Sequence, residues 1–135
     1  MEEIAVWAKV ENLDQVRSFV DASLVSGECP LKVQLLVEMA VEEIFVNIAN
    51  YAYPDRTGQA RIRTELLQNP RRIRITFTDS GIPFDPLKKP DPDISLSLDE
   101  KPIGGLGIFL VKKEMDDVQY RYEDGKNILT FMKQF

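Results

Sequence analysis

The chain contains no histidine, and this absence removes several classes of enzyme at once. Ser-His-Asp and Cys-His catalysis, zinc sites with imidazole ligands and a phosphohistidine relay carried on this chain all need that side chain. The single cysteine, Cys29, cannot form an internal disulfide. The acidic first residues lack the positive charge and apolar stretch of a secretory signal, so we expect a cytoplasmic protein.

Long apolar runs are absent as well. Glu38, Glu42 and Glu43 interrupt the best candidate, so no segment reaches the roughly 20 apolar residues that a membrane-spanning helix needs. Lys and Arg total 17 against 22 for Asp and Glu, a formal charge of -5. Because an acidic surface repels phosphate backbones and anionic lipids, we expect no direct contact with nucleic acid or a membrane. The 135 residues, 44% hydrophobic, suffice for one domain with its own core.

The hydrophobic periodicity predicts the order strand, helix, helix, hairpin, loop, helix, hairpin. Helical spacing covers residues 13–26, about 31–52 and about 104–115. Period-two alternation covers about 4–8, 59–67, 71–79, about 118–123 and about 128–135. Antiparallel hairpins beside helices that need a surface to cover predict an α+β fold of two layers, with the helices on one face of a mostly antiparallel sheet.

The first predicted hairpin carries a cluster of outward-facing arginines, namely Arg61, Arg63, Arg72 and Arg74. Such a cluster is either a basic binding patch or a solvated sheet face. Glu65 lies among the arginines and can pair with them, which favours the solvated face.

One face of the second helix combines apolar and polar residues. At 100° per residue, Glu43 continues the apolar stripe, and Asn47 and Asn50 lie close to the same line. Burying a charge without a partner costs several kcal/mol, so this face either meets structural partners, emerges into solvent or opens onto a cleft. Spacing alone favours a structural ion pair or a solvated helix end over a cleft.

The segment TDSGIPFDP places Asp79 at the end of a predicted strand and Gly81 two residues later. An ionised Asp accepts hydrogen bonds only, which suits an exocyclic amino group such as that of adenine. A neighbouring residue without Cβ lets a flat ring approach the backbone. Asp-Ser-Gly is also common turn chemistry, so this segment alone does not establish a site.

The segment Gly104-Gly105-Leu106-Gly107 leads directly into the predicted third helix. Glycines at a helix start let backbone N–H groups approach an anion, and the positive end of the helix dipole favours it. The pattern matches neither the GxxxxGK[ST] phosphate loop nor a GxGxxG after a strand, so those two nucleotide-binding folds are disfavoured.

The order and spacing of these segments resemble the N, G1 and G2 boxes of the Bergerat-fold ATPases, the superfamily of gyrase and the histidine kinases. The segments AVEEIFVNIANYAYP, TDSGIPFDP and GGLGIFLVKKEMD are similar to one branch, the anti-sigma factor serine/threonine kinases. The resemblance covers nearly the whole chain. The resemblance implies one such domain over residues 1–135. It implies an ATP- and Mg²⁺-dependent kinase that phosphorylates an anti-sigma factor antagonist and binds a sigma factor, and it favours a homodimer.

The resemblance also implies roles for particular residues. Glu43 matches the general base, which takes a proton from the attacking hydroxyl or water. Asn47 would supply an oxygen to a Mg²⁺ that bridges the ATP phosphates. Asp79 would hold the adenine amino group, with Gly81 beside the ring.

The same resemblance assigns the phosphate end of the site. Backbone groups at Gly105, Leu106 and Gly107 would hold the phosphates, and residues 84–103 would form a lid that closes over them. Arg17 in the first helix lies where this branch often carries an arginine near the γ-phosphate.

Two positions depart from the family pattern. Tyr51 stands where relatives commonly have a histidine at the end of the N box. Many members open the last strand with Gly-Thr, whose hydroxyl lies near adenine, whereas Gly125 is followed here by Lys126 and Asn127. The alternatives to a kinase are a non-catalytic ATP-gated protein-binding regulator and an α+β domain without a nucleotide site, and Glu43 distinguishes the first of these from an enzyme.

Overall fold

The computed structural model describes residues 1–88 and 106–135. The elements, in chain order, are β1 (Glu2–Trp7), α1 (Leu13–Ser26), α2 (Leu31–Tyr51), β2 (Gln59–Leu67), β3 (Arg72–Asp79), α3 (Leu106–Glu114), β4 (Asp117–Glu123) and β5 (Lys126–Gln134). The predicted order of helices and strands is confirmed, and the bounds of both long helices agree to within one residue. The predicted loop between β3 and α3 lies mostly outside the described residues. The predicted start of the third helix at Gly104 lies outside the described residues.

The strands form one sheet in the order β1-β2-β3-β5-β4. Each pairing between described strands is antiparallel. In the β3–β5 ladder, Asp79 is the direct partner of Asn127. The strand ends at this edge of the sheet therefore bring two polar side chains from distant parts of the chain together.

Helices cover one face of the sheet, which we call the covered face and which carries Ile62, Ile73, Ile75, Phe77 and Phe131. These side chains and the inward side of α2 form one hydrophobic core. The predicted two-layer α+β fold is confirmed. The alternation of the first hairpin predicts that Ile62, Leu66, Ile73, Ile75 and Phe77 face the core, and Leu66 is the exception because it is 37% exposed.

The opposite side of the sheet, the open face, carries Arg61, Arg63, Glu65 and Arg74, and no helix packs on it among the described residues. Arg74 binds Glu65 through two hydrogen bonds of 2.8 and 3.2 Å. Arg61 and Arg63 lie 3.9 and 3.7 Å from the Glu3 carboxylate. This pairing supports a solvated, ion-paired face over a basic binding patch.

None of the helices that the described residues form is long and apolar enough to cross a bilayer.

Candidate functional site

A pocket opens between α2, the paired ends of β3 and β5, and the segment that follows β3. It holds about 420 Å³ of space between atoms, including the part open to solvent. Its walls are mainly apolar, and its polar side chains are Asn47, Asp79, Tyr120 and Asn127. A pocket with apolar walls and a few convergent polar groups suits a flat heterocycle.

Asp79 is the buried acid of this pocket, with only 6% of its surface exposed. Its Oδ1 accepts hydrogen bonds from the Gly81 N–H and from Asn127 Nδ2, each at 2.9 Å. Burial raises the pKa of the Asp79 carboxyl, and these two hydrogen bonds partly oppose the rise. Because no group among residues 1–88 and 106–135 hydrogen-bonds Oδ2, this oxygen can accept from a ligand.

Gly81 is required by a close approach of two backbone segments. A Cβ at this position would lie 2.2 Å from the carbonyl oxygen of Ala52 at the end of α2. That oxygen also accepts a 2.9 Å hydrogen bond from the Ile82 N–H. The glycine thus docks the segment after β3 onto α2, a contact that reasoning about a flat ring did not reveal.

Two side chains from the α2–β2 connection fix the strand end beside Asp79. The Tyr53 hydroxyl accepts from the Ser80 N–H at 2.8 Å and donates to the Gln59 carbonyl at 2.6 Å. Arg56 donates to the Ser80 carbonyl at 2.8 Å and lies over the Tyr53 ring. Both backbone groups of Ser80 are therefore held, which limits movement of the neighbouring Asp79.

Asn47 lines the pocket from α2, half-buried, without a hydrogen-bond partner among the described residues. Its amide oxygen is a donor atom of the type that Mg²⁺ prefers. No group of three potential metal-ligating His, Cys, Asp or Glu side chains occurs in the part of the chain that the structure describes. Asn47 thus offers one oxygen to a cation, and the other ligands would come from outside these side chains. Asn50, predicted near the same line, is exposed and does not line the pocket.

Glu43 lies one helical turn before Asn47, and its carboxylate is packed against the first turn of α3. A Cβ at Gly107 would lie 2.1 Å from Glu43 Cδ and Oε2. A glycine here leaves room for the Glu43 carboxylate in its observed position, because a side chain would displace it. The structure brings Glu43 and Gly107 into contact, as it brings Asn47 and Asp79 into one pocket.

Other predicted parts of the phosphate end lie outside the described residues. Gly104, Gly105 and residues 89–103 of the predicted lid belong to this group. Leu106 is described only as the first residue of α3.

Tyr51 packs on the start of the predicted lid segment. Its ring lies 6.1 Å from that of Phe84, at a tilt of 35°. The position where relatives commonly carry an imidazole is thus filled by an aromatic contact.

Arg17 belongs to α1, and its charge acts on one carboxyl group of α2. The hydrogen bond to Asp21, burial and the charge of Asp21 raise the pKa of Glu38, and the charge of Arg17 opposes the rise. The charge of Arg17 thus acts on Glu38 of α2, and its expected place near the γ-phosphate stays a prediction.

Sequence reasoning did not identify the contacts of Asn127, which prove to be extensive. This residue is 6% exposed and bonds directly to Asp79. An available signal was the alternation of β5, where a polar residue occupies an inward position in line with Leu129 and Phe131.

Comparisons with known proteins identify similar sequences and a similar fold. Serine-protein kinases named RsbW from Bacillus thuringiensis (strain Al Hakam) and Bacillus anthracis are each 33% identical over 97 residues, which is 69% of this chain. The match covers 59% of the length of these relatives. The histidine kinase domain of a blue-light activated histidine kinase from Erythrobacter litoralis shares the fold, with a TM-score of 0.58 at 15% identity, over 92% of this chain and 59% of that one.

The match to a family profile is more extensive than either of these. The profile of the histidine kinase-like ATPase domain covers residues 6–133 and so includes α2, the end of β3 and α3. With nearly its full length matched, the chain belongs to the family of histidine kinase-like ATPase domains.

Proposed function

We propose that this protein is an ATP- and Mg²⁺-dependent serine/threonine kinase that acts as an anti-sigma factor. It phosphorylates an anti-sigma factor antagonist and binds a sigma factor, so that phosphorylation decides which partner is held. Such a partner-switching circuit operates in the cytoplasm. The name of the relatives, serine-protein kinase, supports transfer to a serine hydroxyl.

The observation that carries this proposal is the arrangement along α2. Asn47 shares a pocket with Asp79, and Glu43 lies one turn away against the first turn of α3. A hydrogen-bond acceptor for a base, an amide oxygen for a cation and a carboxylate for a proton thus follow one another across the site. This is the order in which a nucleoside triphosphate presents its base, phosphates and reacting end.

The base end would recognise adenine through Asp79. Oδ2 would accept a hydrogen bond from the exocyclic amino group, while the apolar walls of the pocket contact the ring. Asn47 would contribute one oxygen to a Mg²⁺ otherwise held by phosphates and water, and the ion would neutralise the phosphate charge.

At the other end, Glu43 would accept the proton of the incoming serine hydroxyl. As that proton moves to the carboxylate, the serine oxygen forms a bond to the γ-phosphorus and the bond to the β-phosphate oxygen breaks, which releases ADP. The close packing of Gly107 on Glu43 would hold the carboxylate in place for this transfer.

The experiment is transfer of labelled γ-phosphate from Mg²⁺-ATP to a purified anti-sigma factor antagonist. Glu43→Gln should lower the rate about 10²- to 10⁴-fold, the usual contribution of a general base. Glu42→Gln is the matched control, because Glu42 is the exposed neighbour on the same helix, and it should transfer at the wild-type rate.

A thermal-shift titration with ATP, with and without magnesium, accompanies the assay, because a ligand that prefers the folded state raises the melting temperature. Stabilisation by ATP together with no labelled antagonist, and partner regulation unchanged by Glu43→Gln, would replace the kinase with a non-catalytic ATP-gated regulator. No stabilisation by ATP would overturn both.

A further inference from the structure

Asn127 uses its whole hydrogen-bonding capacity inside the protein. Nδ2 donates to Asp79 Oδ1 and to the Ile82 carbonyl, each at 2.9 Å. Oδ1 accepts from the Phe84 N–H at 3.1 Å and from the Tyr120 hydroxyl. A primary amide offers two N–H donors and two acceptor positions, so all four are occupied.

These partners fix the orientation of the amide. Rotation by 180° would point Oδ1 at two acceptors, the Asp79 carboxylate and the Ile82 carbonyl. It would also point Nδ2 at the N–H of Phe84. Since a buried polar group without a partner is costly, only the observed orientation is stable. Asn127 therefore has no group left for a ligand and can influence one only through its neighbours.

The neighbour that meets a ligand is Asp79. Both of its hydrogen bonds, from Asn127 and from the Gly81 N–H, end on Oδ1. The carboxylate is thereby held by one oxygen while Oδ2 is left to the pocket. Removing the Asn127 amide would leave Asp79 with a single backbone hydrogen bond, so its terminal torsion would be less restrained.

We propose that Asn127 is a positioning residue that orients Asp79 so that Oδ2 selects a purine with an exocyclic amino group at position 6. This inference rests on the proposed ATP-binding function and deepens it. The selectivity acts through Asp79, because Asn127 itself is fully occupied.

The test compares two ligands that differ in one group, ATP and the triphosphate of purine riboside, which carries hydrogen in place of the amino group. Dissociation constants are measured by calorimetry for the wild type and for Asn127→Thr. Threonine suits a strand, and its hydroxyl can serve only part of the four-bond set. We expect the wild type to prefer ATP about 10- to 100-fold, the worth of a hydrogen bond to a charged group. Asn127→Thr should reduce that preference about tenfold and change binding of the analogue less than about threefold.

A purely structural role for Asn127 would weaken both ligands equally and leave the preference intact, and this result would overturn the proposal. Tyr120→Phe provides a second variant that removes one donor to Asn127 and keeps both Nδ2 bonds. It should reduce the preference by a smaller factor, about threefold. If Asn127→Thr does not fold, an unchanged preference in Tyr120→Phe overturns the proposal. A wild type that binds neither triphosphate refutes the proposed function itself.

Discussion

The polar residues on the two faces of the sheet differ in exposure and in charge pairing. On the open face, Glu65 is paired with Arg74 and both side chains remain partly in water, 21% and 38% exposed. On the covered face, Asp79 and Asn127 are each 6% exposed and are held by hydrogen bonds without a cation as partner among the described residues. The open face thus carries an ion pair in contact with water, whereas the pocket on the covered face carries a buried carboxyl without a counter-charge in the described part of the chain.

The difference shows how to separate structural from functional charge in this molecule. A solvated ion pair gains little, because water already stabilises both partners. A buried carboxyl without a counter-charge costs free energy that the fold must offset elsewhere. Stability alone therefore does not explain why the Asp79 carboxyl is buried. This is consistent with its place at the base end of the proposed ATP site.

After Glu43→Gln, the largest effect should come from Gly107→Ala. The new methyl group would fall 2.1 Å from the Glu43 carboxylate and displace it. A catalytic group moved by about 1 Å can lose about 100-fold in rate, so phosphate transfer should fall by about that factor. Because the displaced atoms end a flexible side chain, and alanine is the better helix former, the free energy of unfolding should change by less than about 1 kcal/mol. A variant with the wild-type transfer rate would show that this contact does not position Glu43.

Asp79→Asn should produce the next largest effect. The amide oxygen can keep both hydrogen bonds of Oδ1, while an N–H group replaces Oδ2 and cannot accept from adenine. We expect ATP affinity to fall about 10- to 100-fold while the free energy of unfolding stays the same or rises. Glu65→Gln, the same exchange on the open face, should leave ATP affinity unchanged. Calorimetric titration with ATP measures the affinity of both variants. Equal losses of ATP affinity would show that the two faces do not differ in function.

The two carboxyls should also give stability profiles of opposite sign against pH. Burial raises the pKa of Asp79, so the stability of the wild type relative to Asp79→Asn is greatest below the ordinary value of 3.8 and declines as pH rises through the raised pKa. The hydrogen bond from Arg74 lowers the pKa of Glu65. Its contribution relative to Glu65→Gln is therefore present above the ordinary value of 4.5 and is lost as pH falls through the lowered pKa. Urea unfolding of both variants and the wild type across acidic and neutral pH checks the signs.

The smallest effect should come from Arg74→Gln on the open face. Removal of this surface partner should lower the free energy of unfolding by at most about 1 kcal/mol at neutral pH. High salt should reduce the difference further, because ions screen exposed pairs. A loss above about 3 kcal/mol by denaturant unfolding would mean that the open face is as important for the fold as the covered face.

The sequence allowed the elements to be predicted because their patterns are local. A 3.6-residue period in α2 also placed Glu43 and Asn47 on one side of a helix. In the structure Asn47 lines the pocket, and Glu43 lies one turn away against the first turn of α3. The same period placed Asn50 near this line, but Asn50 is exposed because it lies in the last turn of α2.

What could not be predicted depends on contacts between distant segments. The register that sets Asn127 opposite Asp79 joins strands that do not follow one another, and no periodicity in either strand specifies it. The approach of Gly81 to Ala52 likewise arises only when the strand end is docked on the helix. The family resemblance supplied residue roles, and the packing explains why Gly81 and Gly107 are glycines.

Because Asp79 pairs with Asn127, the ability of this pocket to bind a nucleotide reports on the pairing of β3 with β5 during refolding. The two residues are 48 positions apart, and a slip of one residue between β3 and β5 would turn the asparagine to the other side of the sheet. Such long-range ladders close late compared with helices. The protein should thus bind a purine only after β3 and β5 have paired in the correct register. Binding of a nucleotide added during renaturation would therefore report when the sheet is complete.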